Sequence, residues 1–252
     1  MNAGSAQGAN FRGSALYRRH LALGAALVDY HGWRTAARFT SAEQEAQGVQ
    51  KAVGLADVSW LGKLDVRGTL TEHVLAGLAA APAPPVAEAP LTPPRAWRLA
   101  HQHALVTCGP DEREMRQVQA SLAPDNPAGN DPASCVHVTD VTSVYAALLL
   151  AGPQSREVLH RLTDTDVSET AMPNLKAAQG GLAHVAAILL RADVGGAPAV
   201  PHVPAFWLLV GREYGEYVWE AIMHAGRQFG MVPFGVTALA ALADRPFAPL
   251  KG

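Results

Sequence analysis

The spacing of apolar side chains changes along the chain between the repeat of a helix and the two-residue alternation of a strand. In the first half it predicts, in order, a helix over 16–28, a helix over 41–53, a strand over 63–67, a helix over 69–78, a strand over 103–108 and a helix over 110–122. Ser41 with Gln44, and Thr69 with Glu72, have the spacing of capping boxes at the starts of two of these helices.

A similar order of elements returns in the second half, from Cys135 onward. The spacing there predicts a strand over 146–150, a helix ending at 162, a strand over 183–191, a strand over 206–210 and a helix ending at 229. Gly230 follows directly, and glycine is a common terminator of helices.

The two halves also share a short motif. Asp57-Val58-Ser59 has a counterpart in Asp140-Val141-Thr142, and Gly68 has one in Gly152, at a nearly constant offset. The correspondence continues through apolar positions: Val66 with Leu150, Val74 with Val158, Leu75 with Leu159, and Leu78 with Leu162. Two related lobes would produce this repeat, and chance similarity between short apolar segments is the alternative.

Stretches rich in proline and small residues mark the boundaries, because proline lacks an amide donor and has a fixed φ. One is an Ala/Pro-rich loop over 79–95, and another lies over 124–134. We therefore expect a disordered tail over 1–13, a first α+β lobe over 14–123, a linker loop over 124–134, a second α+β lobe over 135–241 and a C-terminal tail over 242–252.

Composition narrows the classes of partner. Lys and Arg number 20 against 22 Asp and Glu, with no basic run, so the positive field that nucleic acid requires is missing. The longest apolar run, 145–152, is too short to span a bilayer, so we expect no membrane insertion. Two cysteines are too few for a disulfide framework, and we expect both to be reduced in a cytoplasmic protein.

The common self-standing signatures of hydrolases, NTPases, dehydrogenases and zincins do not occur in the sequence. His101 and His103 would share one face of a strand, with Cys108 at its far end. No carboxylate or second cysteine pair stands at ligand spacing beside them, so we expect ordinary histidines and no metal. A flat heteroaromatic pocket could be lined by several aromatic side chains, for which core packing is the alternative: Trp33, Trp60, Tyr145, Phe206 and Trp207.

A family resemblance rests on a series of short matches near the start of the chain. They are Ala15-Leu16-Tyr17, His20-Leu21, Gly24-Ala25, Val28-Asp29-Tyr30, Gly32-Trp33, Gly54-Leu55, Asp57-Val58-Ser59, Gly62-Lys63 and Val66-Arg67-Gly68. In order and approximate spacing they resemble the opening of the glycine-cleavage T-protein (aminomethyltransferase) family. A weaker set extends the resemblance over most of residues 15–240: Asp140, Gly152-Pro153, Val158-Leu159, Leu162, Arg191, Phe206, Trp219, Gly226, Gly230, Val232-Pro233 and Gly235.

This resemblance implies an α+β fold of two pseudo-repeated, ferredoxin-like lobes with antiparallel sheets around a channel that binds tetrahydrofolate. The family's catalytic aspartate, in an Asp-Asp-Leu-Ile type of segment, has no match in the Ala/Pro stretch. The family's two pterin-binding glutamates fall on Ala197 and Trp207 here, and its histidine and methionine after Asp-Val-Ser fall on Trp60 and Leu61. An unmet buried donor costs about 1 to 3 kcal/mol, so the missing acids would weaken folate binding strongly.

Only about a dozen residues follow Ala241, so the C-terminal barrel of full T-proteins is expected to be absent. The shortened outline resembles the gamma subunit of heterotetrameric sarcosine oxidase, which works within a larger assembly. We therefore expect an accessory member with no catalytic residue, binding a partner subunit or a small folate-like ligand. The residues expected to line the former folate channel are Trp60, Leu61, Tyr145, Arg191 and Trp207.

Two alternatives remain open at this point. One is an active tetrahydrofolate-dependent aminomethyltransferase or demethylase whose acid has moved to Asp193, the one acid close to the family's loop. This alternative requires a carboxylate that faces an open cavity beside the aromatic residues. The other is a pure interaction module, with the 79–95 stretch as a docking arm for another chain.

Overall fold

The computed structural model describes residues 11–80, 94–122, 135–195 and 202–244. Its strands are β1 (Arg12–Gly13), β2 (Ala26–Tyr30), β3 (Trp33–Arg38), β4 (Gly54–Asp57), β5 (Gly62–Arg67), β6 (Arg95–Ala100), β7 (His103–Cys108), β8 (His137–Asp140), β9 (Tyr145–Ala151), β10 (Ala177–Leu182), β11 (Val185–Arg191), β12 (Ala205–Gly211) and β13 (Val232–Pro233). Its α-helices are α1 (Tyr17–Ala22), α2 (Ala42–Lys51), α3 (Thr71–Ala80), α4 (Glu112–Ser121), α5 (Ser155–Leu159), α6 (Gly215–Gly226) and α7 (Val236–Leu242). Short 3-10 helices cover Arg212–Tyr214 and Arg227–Phe229.

The strands form three sheets. A six-stranded sheet has the order β10-β11-β12-β9-β4-β13, a four-stranded sheet the order β6-β7-β5-β8, and a three-stranded sheet the order β1-β3-β2. Neighbouring strands are antiparallel except for β13 with β4 and β1 with β3. The predicted α+β class with antiparallel sheets is confirmed.

The two halves of the chain exchange strands between the larger sheets. Strand β4, from the first half, pairs with β9, and β8, from the second half, pairs with β5. Ser59 Oγ accepts a hydrogen bond from Ala147 N at 3.1 Å, and Thr142 Oγ1 accepts one from Lys63 N at 3.0 Å. The repeated motif therefore joins the two halves at equivalent points, and the predicted internal repeat has a structural counterpart.

The repeated glycines lie where each half turns from a strand into a helix. Gly68 has φ 132° and Gly152 has φ 124°, a conformation that residues with a side chain rarely adopt. A Cβ atom on Gly68 would lie 2.3 Å from Cys135 O, and one on Gly152 would lie 2.4 Å from Ala52 O. Both positions require glycine for backbone angle and for space.

The six-stranded sheet separates two cores, because successive side chains of a strand point to opposite faces. One face carries a cluster with Tyr30, Trp33, Trp60, Trp97, Trp207 and Phe234. The other face carries Leu55, Leu150, Phe206, Trp219 and Ile222. A third cluster lies between the four-stranded sheet and helices α3 and α4, with Leu64, Val66, Val74, Val106, Val118 and Leu122.

Several predicted elements need correction. The helix expected over 16–28 ends at Ala22, because Gly24 has φ 73° and reverses the chain into strand β2. The strand expected over 183–191 is present as β11 but begins at Val185, because Ala183 and His184 form the turn of a hairpin with β10. Arg12–Gly13, expected to lie in a tail, form strand β1 beside β3. The predicted loops over 79–95 and 124–134 lie mostly outside the described residues.

The cap at Ser41 and the terminator at Gly230 are confirmed. Ser41 Oγ accepts a hydrogen bond from Gln44 N at 3.2 Å and caps helix α2. Gly230 has φ 71° directly after the segment that follows α6. The capping box predicted at Thr69 and Glu72 is wrong, because helix α3 begins only at Thr71 and Thr69 Oγ1 accepts from Cys135 N at 3.1 Å. No helix within the described ranges is long and apolar enough to span a bilayer.

Candidate functional site

Four of the five residues predicted to line the channel belong to one core. Trp60 is 1% exposed, Leu61 is 2% exposed and Trp207 is 8% exposed, and all three lie in the tryptophan-rich cluster. Tyr145 is partly buried against the same cluster. These side chains pack together as the interior of the molecule, which is the alternative that the sequence left open for the aromatic residues.

The two tryptophans are held by specific contacts. The Tyr30 ring meets the Trp60 ring edge to face, with 5.0 Å between centroids. Trp207 Nε1 donates a hydrogen bond to Ala192 O at 3.0 Å. Trp60 Nε1 is buried and finds no acceptor among the described residues. Large, packed indoles thus lie at the two positions where the resemblance expects the family's histidine and second glutamate.

Arg191 lies on the opposite face of the sheet from Trp207. It pairs with Phe206 in the strand register, and its guanidinium lies 4.6 Å from the Phe206 ring centroid. The side chain is almost fully buried, and Nη1 has no hydrogen-bond acceptor within the described ranges. The structure therefore does not bring Arg191 together with the other four predicted channel residues.

Asp193 is held by neighbouring groups. Its Oδ1 lies 2.6 Å from Arg191 Nε in an ion pair, although the angle is not that of a hydrogen bond, so Nε has no hydrogen-bond acceptor. Oδ1 also accepts from Ala205 N at 3.2 Å. His202 Nδ1 lies 3.8 Å from Oδ2. The charge of the Asp193 carboxylate is therefore balanced by Arg191, two residues before it in the chain.

A buried polar cluster, which sequence reasoning missed, surrounds Asp57. His20 Nε2 lies 2.9 Å from Asp57 Oδ2, and the Ser14 hydroxyl donates to the same oxygen. Asp57 Oδ1 accepts from Ser59 N at 3.0 Å. Burial alone raises the pKa of Asp57, but the hydrogen bonds and the charge of His20 outweigh it, so the pKa lies below its usual value. The cluster ties helix α1 to strand β4.

Lys63 is a second buried charge close to the first. Its Nζ donates to Leu61 O at 2.7 Å and to Ser59 O at 3.1 Å. Burial lowers the pKa of Lys63 to about 7, against the opposing influence of Asp57 and Asp140. The amine is fully enclosed, so it stabilises the turn after β4 and is not open to a substrate.

The histidines considered as metal ligands are separated. His101 lies in the turn before β7, is largely exposed and approaches Glu72 at 3.9 Å. His103 Nε2 instead lies 2.6 Å from Asp65 Oδ1, while Arg67 Nε donates to Asp65 Oδ2 at 2.6 Å. Within the described ranges no three His, Cys, Asp or Glu side chains are grouped to hold a metal ion.

Known proteins similar to this chain share its sequence pattern and its fold. The GCVT N-terminal domain model matches residues 16–92 and 95–243. The aminomethyltransferase of Streptomyces coelicolor is 27% identical over 254 residues, covering 96% of this chain and 64% of that protein. Sarcosine oxidase subunit alpha of Rhizobium meliloti is 26% identical over 219 residues, covering 80% of this chain and 21% of that protein.

Two solved structures share the fold. The glycine cleavage system aminomethyltransferase T of Bartonella henselae superposes with a TM-score of 0.69 at 16% identity, over 92% of this chain and 62% of that one. A chain of heterotetrameric sarcosine oxidase from Corynebacterium sp. U-96 superposes with a TM-score of 0.57 at 20% identity, over 88% of this chain and 97% of that one. The chain spans about 64% of the length of the Streptomyces coelicolor relative. The chain belongs to the GCVT N-terminal domain family of the aminomethyltransferase superfamily.

Proposed function

We propose that this chain is a non-catalytic, accessory member of its superfamily, acting beside a partner subunit in one-carbon or amine metabolism. The observation that carries the proposal is the packing of Trp60 and Trp207 into the core. Large indoles with few degrees of freedom fill space that a flat heteroaromatic ligand would need. A fold inherited from enzymes does not by itself carry their reaction, because function depends on the site.

The alternative function, an active aminomethyltransferase or demethylase, would need Asp193 as its acid, and Asp193 already has partners within the protein. The Arg191 guanidinium neutralises Asp193, and the Ala205 amide donates to it. A general base or a carboxylate that stabilises a developing cation must be free to face the reacting atoms. The contacts of Asp193 therefore support the accessory reading over a demethylase or aminomethyltransferase with a relocated acid.

The same contacts bear on tetrahydrofolate, which the superfamily implies as a ligand. Trp207 falls where the resemblance expects the second glutamate, and its indole N–H is a donor only, so it cannot accept from a pterin edge; it donates to Ala192 O. The described residues around Trp60 and Trp207 do not fit a pterin. We propose that the chain binds mainly a partner protein. We also propose a cytoplasmic location, which the two free cysteines support.

Calorimetry with tetrahydrofolate tests the proposal directly. We expect no binding in the micromolar range for the full chain, and a micromolar Kd would contradict the proposal. An assay for transfer of a methyl or methylene unit from an amine to a pterin carrier distinguishes the accessory role from the active enzyme. The rival predicts activity that Asp193→Asn abolishes, whereas the accessory role predicts no transfer by either protein.

The partner is sought in the native cell. Affinity purification of the tagged full chain at endogenous expression should recover one protein at equal stoichiometry, measured by quantitative mass spectrometry. An exposed-surface variant such as Arg227→Gln serves as a handling control. Recovery of the chain alone, at a monomer mass, would contradict a subunit role even if the folate titration is negative.

A further inference from the structure

A cleft on the second half of the molecule lies apart from the tryptophan-rich core. It has a volume of about 280 Å³ and opens between the segment after helix α5, the turn of the β10–β11 hairpin, and helix α6. The side chains that give it chemical character are His160, Arg161, Asp164, His184 and Tyr217. We propose that this cleft binds a small organic oxyanion, a carboxylate or phosphate carried on a ring or short apolar group.

The walls of the cleft are joined by hydrogen bonds, so the cleft is preformed. Ala183 N donates to Leu162 O at 2.7 Å, and the Thr163 hydroxyl donates to Gly181 O. These bonds fix the hairpin turn against the segment that follows α5. A preformed concave site with a few polar groups is the usual form of a small-ligand site.

The hairpin turn itself is strained. Ala183 has φ 49° and His184 has φ 67°, in a two-residue turn between Leu182 and Val185. Such turns normally use asparagine and glycine, because both central residues need positive φ. Strain kept at a position without glycine or asparagine points to a function for the side chain. Here the strained position brings the His184 imidazole to the cleft.

The hydrogen-bond donors of the lining suit an anion. One arginine and two histidines, all exposed, face one acid, Asp164. The Arg161 guanidinium stacks 5.2 Å from the Phe229 ring centroid. With the Gln228 amide turned so that its oxygen faces Arg161, that oxygen lies 2.5 to 3.0 Å from the guanidinium nitrogens and holds the charge at the cleft. Arginine and histidine together are typical of sites that hold carboxylate or phosphate through paired donors. The positive charge is therefore anchored before a ligand arrives.

An apolar surface beside these donors defines the rest of the ligand. Tyr217 is 50% exposed, and Ala183 and Ala221 also line the cleft. A ring or short carbon chain can cover these surfaces while its oxyanion meets Arg161. This chemistry uses no residue of the tryptophan-rich core and does not depend on the accessory role proposed above.

Titration of the isotope-labelled full chain, followed by amide NMR, tests the proposal with three probes: phenyl phosphate, benzoate and inorganic phosphate. We expect saturable shifts of amides in 160–164 and 181–184 with phenyl phosphate or benzoate, and weaker binding of inorganic phosphate. The stronger of the first two probes identifies the oxyanion. Absence of saturable shifts with all three would overturn the proposal.

Variants distinguish a built site from general charge. Arg161→Gln should weaken binding at least about tenfold, since it removes charged hydrogen bonds. Arg227→Gln, an exposed arginine outside the cleft lining, is the matched control and should leave the affinity unchanged. His184→Asn keeps a residue suited to positive φ and should weaken binding severalfold. Equal loss in Arg161→Gln and Arg227→Gln would overturn the proposal.

Discussion

The turns that follow β4 and β8 have nearly the same local structure in very different surroundings. In each, the aspartate accepts from the amide two residues on: Asp57 from Ser59 at 3.0 Å and Asp140 from Thr142 at 2.8 Å. In each, the hydroxyl of the last residue accepts a hydrogen bond from a strand of the other half: Ser59 from β9 and Thr142 from β5. The first turn is buried, whereas Asp140 is exposed.

The difference lies in what covers the two aspartates. Helix α1 and the residues before it bring His20 and Ser14 onto Asp57, and no described residue plays that part for Asp140. The turn motif therefore builds the junction between the halves in both places, while a buried charge cluster is added in one. A repeat in sequence predicts the backbone arrangement and leaves the electrostatic environment undetermined.

The largest loss of stability is expected from substitutions of Gly68 and Gly152, which lie between strand and helix in the two halves. Gly152→Ala should lower the free energy of unfolding by more than about 3 kcal/mol, because of strain at positive φ and a collision with the Ala52 carbonyl. Gly68→Ala should act similarly. Gly181→Ala, with no atom within 4 Å of the added Cβ, is the control. Urea denaturation followed by circular dichroism measures all three, and a mild Gly152→Ala would refute the argument.

The aspartates should respond unequally to loss of charge. Asp57→Asn leaves His20 without its buried partner and should cost about 3 kcal/mol. Asp140→Asn is the matched control on the exposed turn, and its cost should stay within about 0.5 kcal/mol. Chemical denaturation at pH 7 compares them. Equal losses would show that burial of Asp57 does not distinguish the turns.

The same cluster predicts a dependence on acid. The pKa of Asp57 is held below its usual value, so its carboxylate stabilises the folded state fully above the ordinary aspartate pKa. This stabilisation is lost as the pH falls through the lowered pKa. The acid limb of the stability curve should therefore be shallower in Asp57→Asn than in the unmodified chain or in Asp140→Asn.

Lys63 gives a further asymmetry, since Ala147 occupies the equivalent place in the second unit. The folded-state pKa near 7 lies below the unfolded value, so the unfolded chain binds more protons above pH 7, and stability should rise with pH there. From pH 7 to pH 9 this group contributes about 2 kcal/mol, at about 1.4 kcal/mol for each unit of pH. Denaturation series of the chain and of Lys63→Met measure the difference in slope. Parallel curves would contradict the buried amine's role.

The smallest effect tests the shared part of the two turns. Ser59→Ala removes the acceptor for Ala147 N, and Thr142→Val removes the acceptor for Lys63 N. Each leaves one buried amide unpaired and should cost about 1 to 2 kcal/mol. Thermal and urea denaturation should give similar values for both variants. A large inequality would show that the two hydroxyls do not play equivalent parts.

Local features of the fold were predictable from sequence because their causes are local. The Ser41 cap, the repeated Asp-Val-Ser turn and the glycines Gly68 and Gly152 all follow from backbone needs within a few residues. The hairpin of β2 and β3 was missed, since the leucines of 16–28 fit helical spacing until Gly24 reverses the chain. Strand exchange was missed because pairing between β4 and β9 depends on residues distant in sequence.

The candidate site shows the same division. The family pattern pointed to Trp60, Leu61, Tyr145 and Trp207, which share one core. It did not show that Arg191 lies on the other face of the sheet. Arg191 pairs with Phe206, and the next residue, Trp207, points to the opposite face because side chains alternate along a strand. The His20–Asp57 pair joins residues far apart in sequence, and nothing in either segment alone indicates the contact.

The exchange of strands between halves has a consequence for biosynthesis. As the chain leaves the ribosome, Gly54–Asp57 emerges well before its partner Tyr145–Ala151 has been translated. Until then the backbone amides and carbonyls of β4 that pair with β9 have no partner. Unpaired strand edges attract other chains or chaperones. The six-stranded sheet can therefore be completed only after the second half of the chain has been translated.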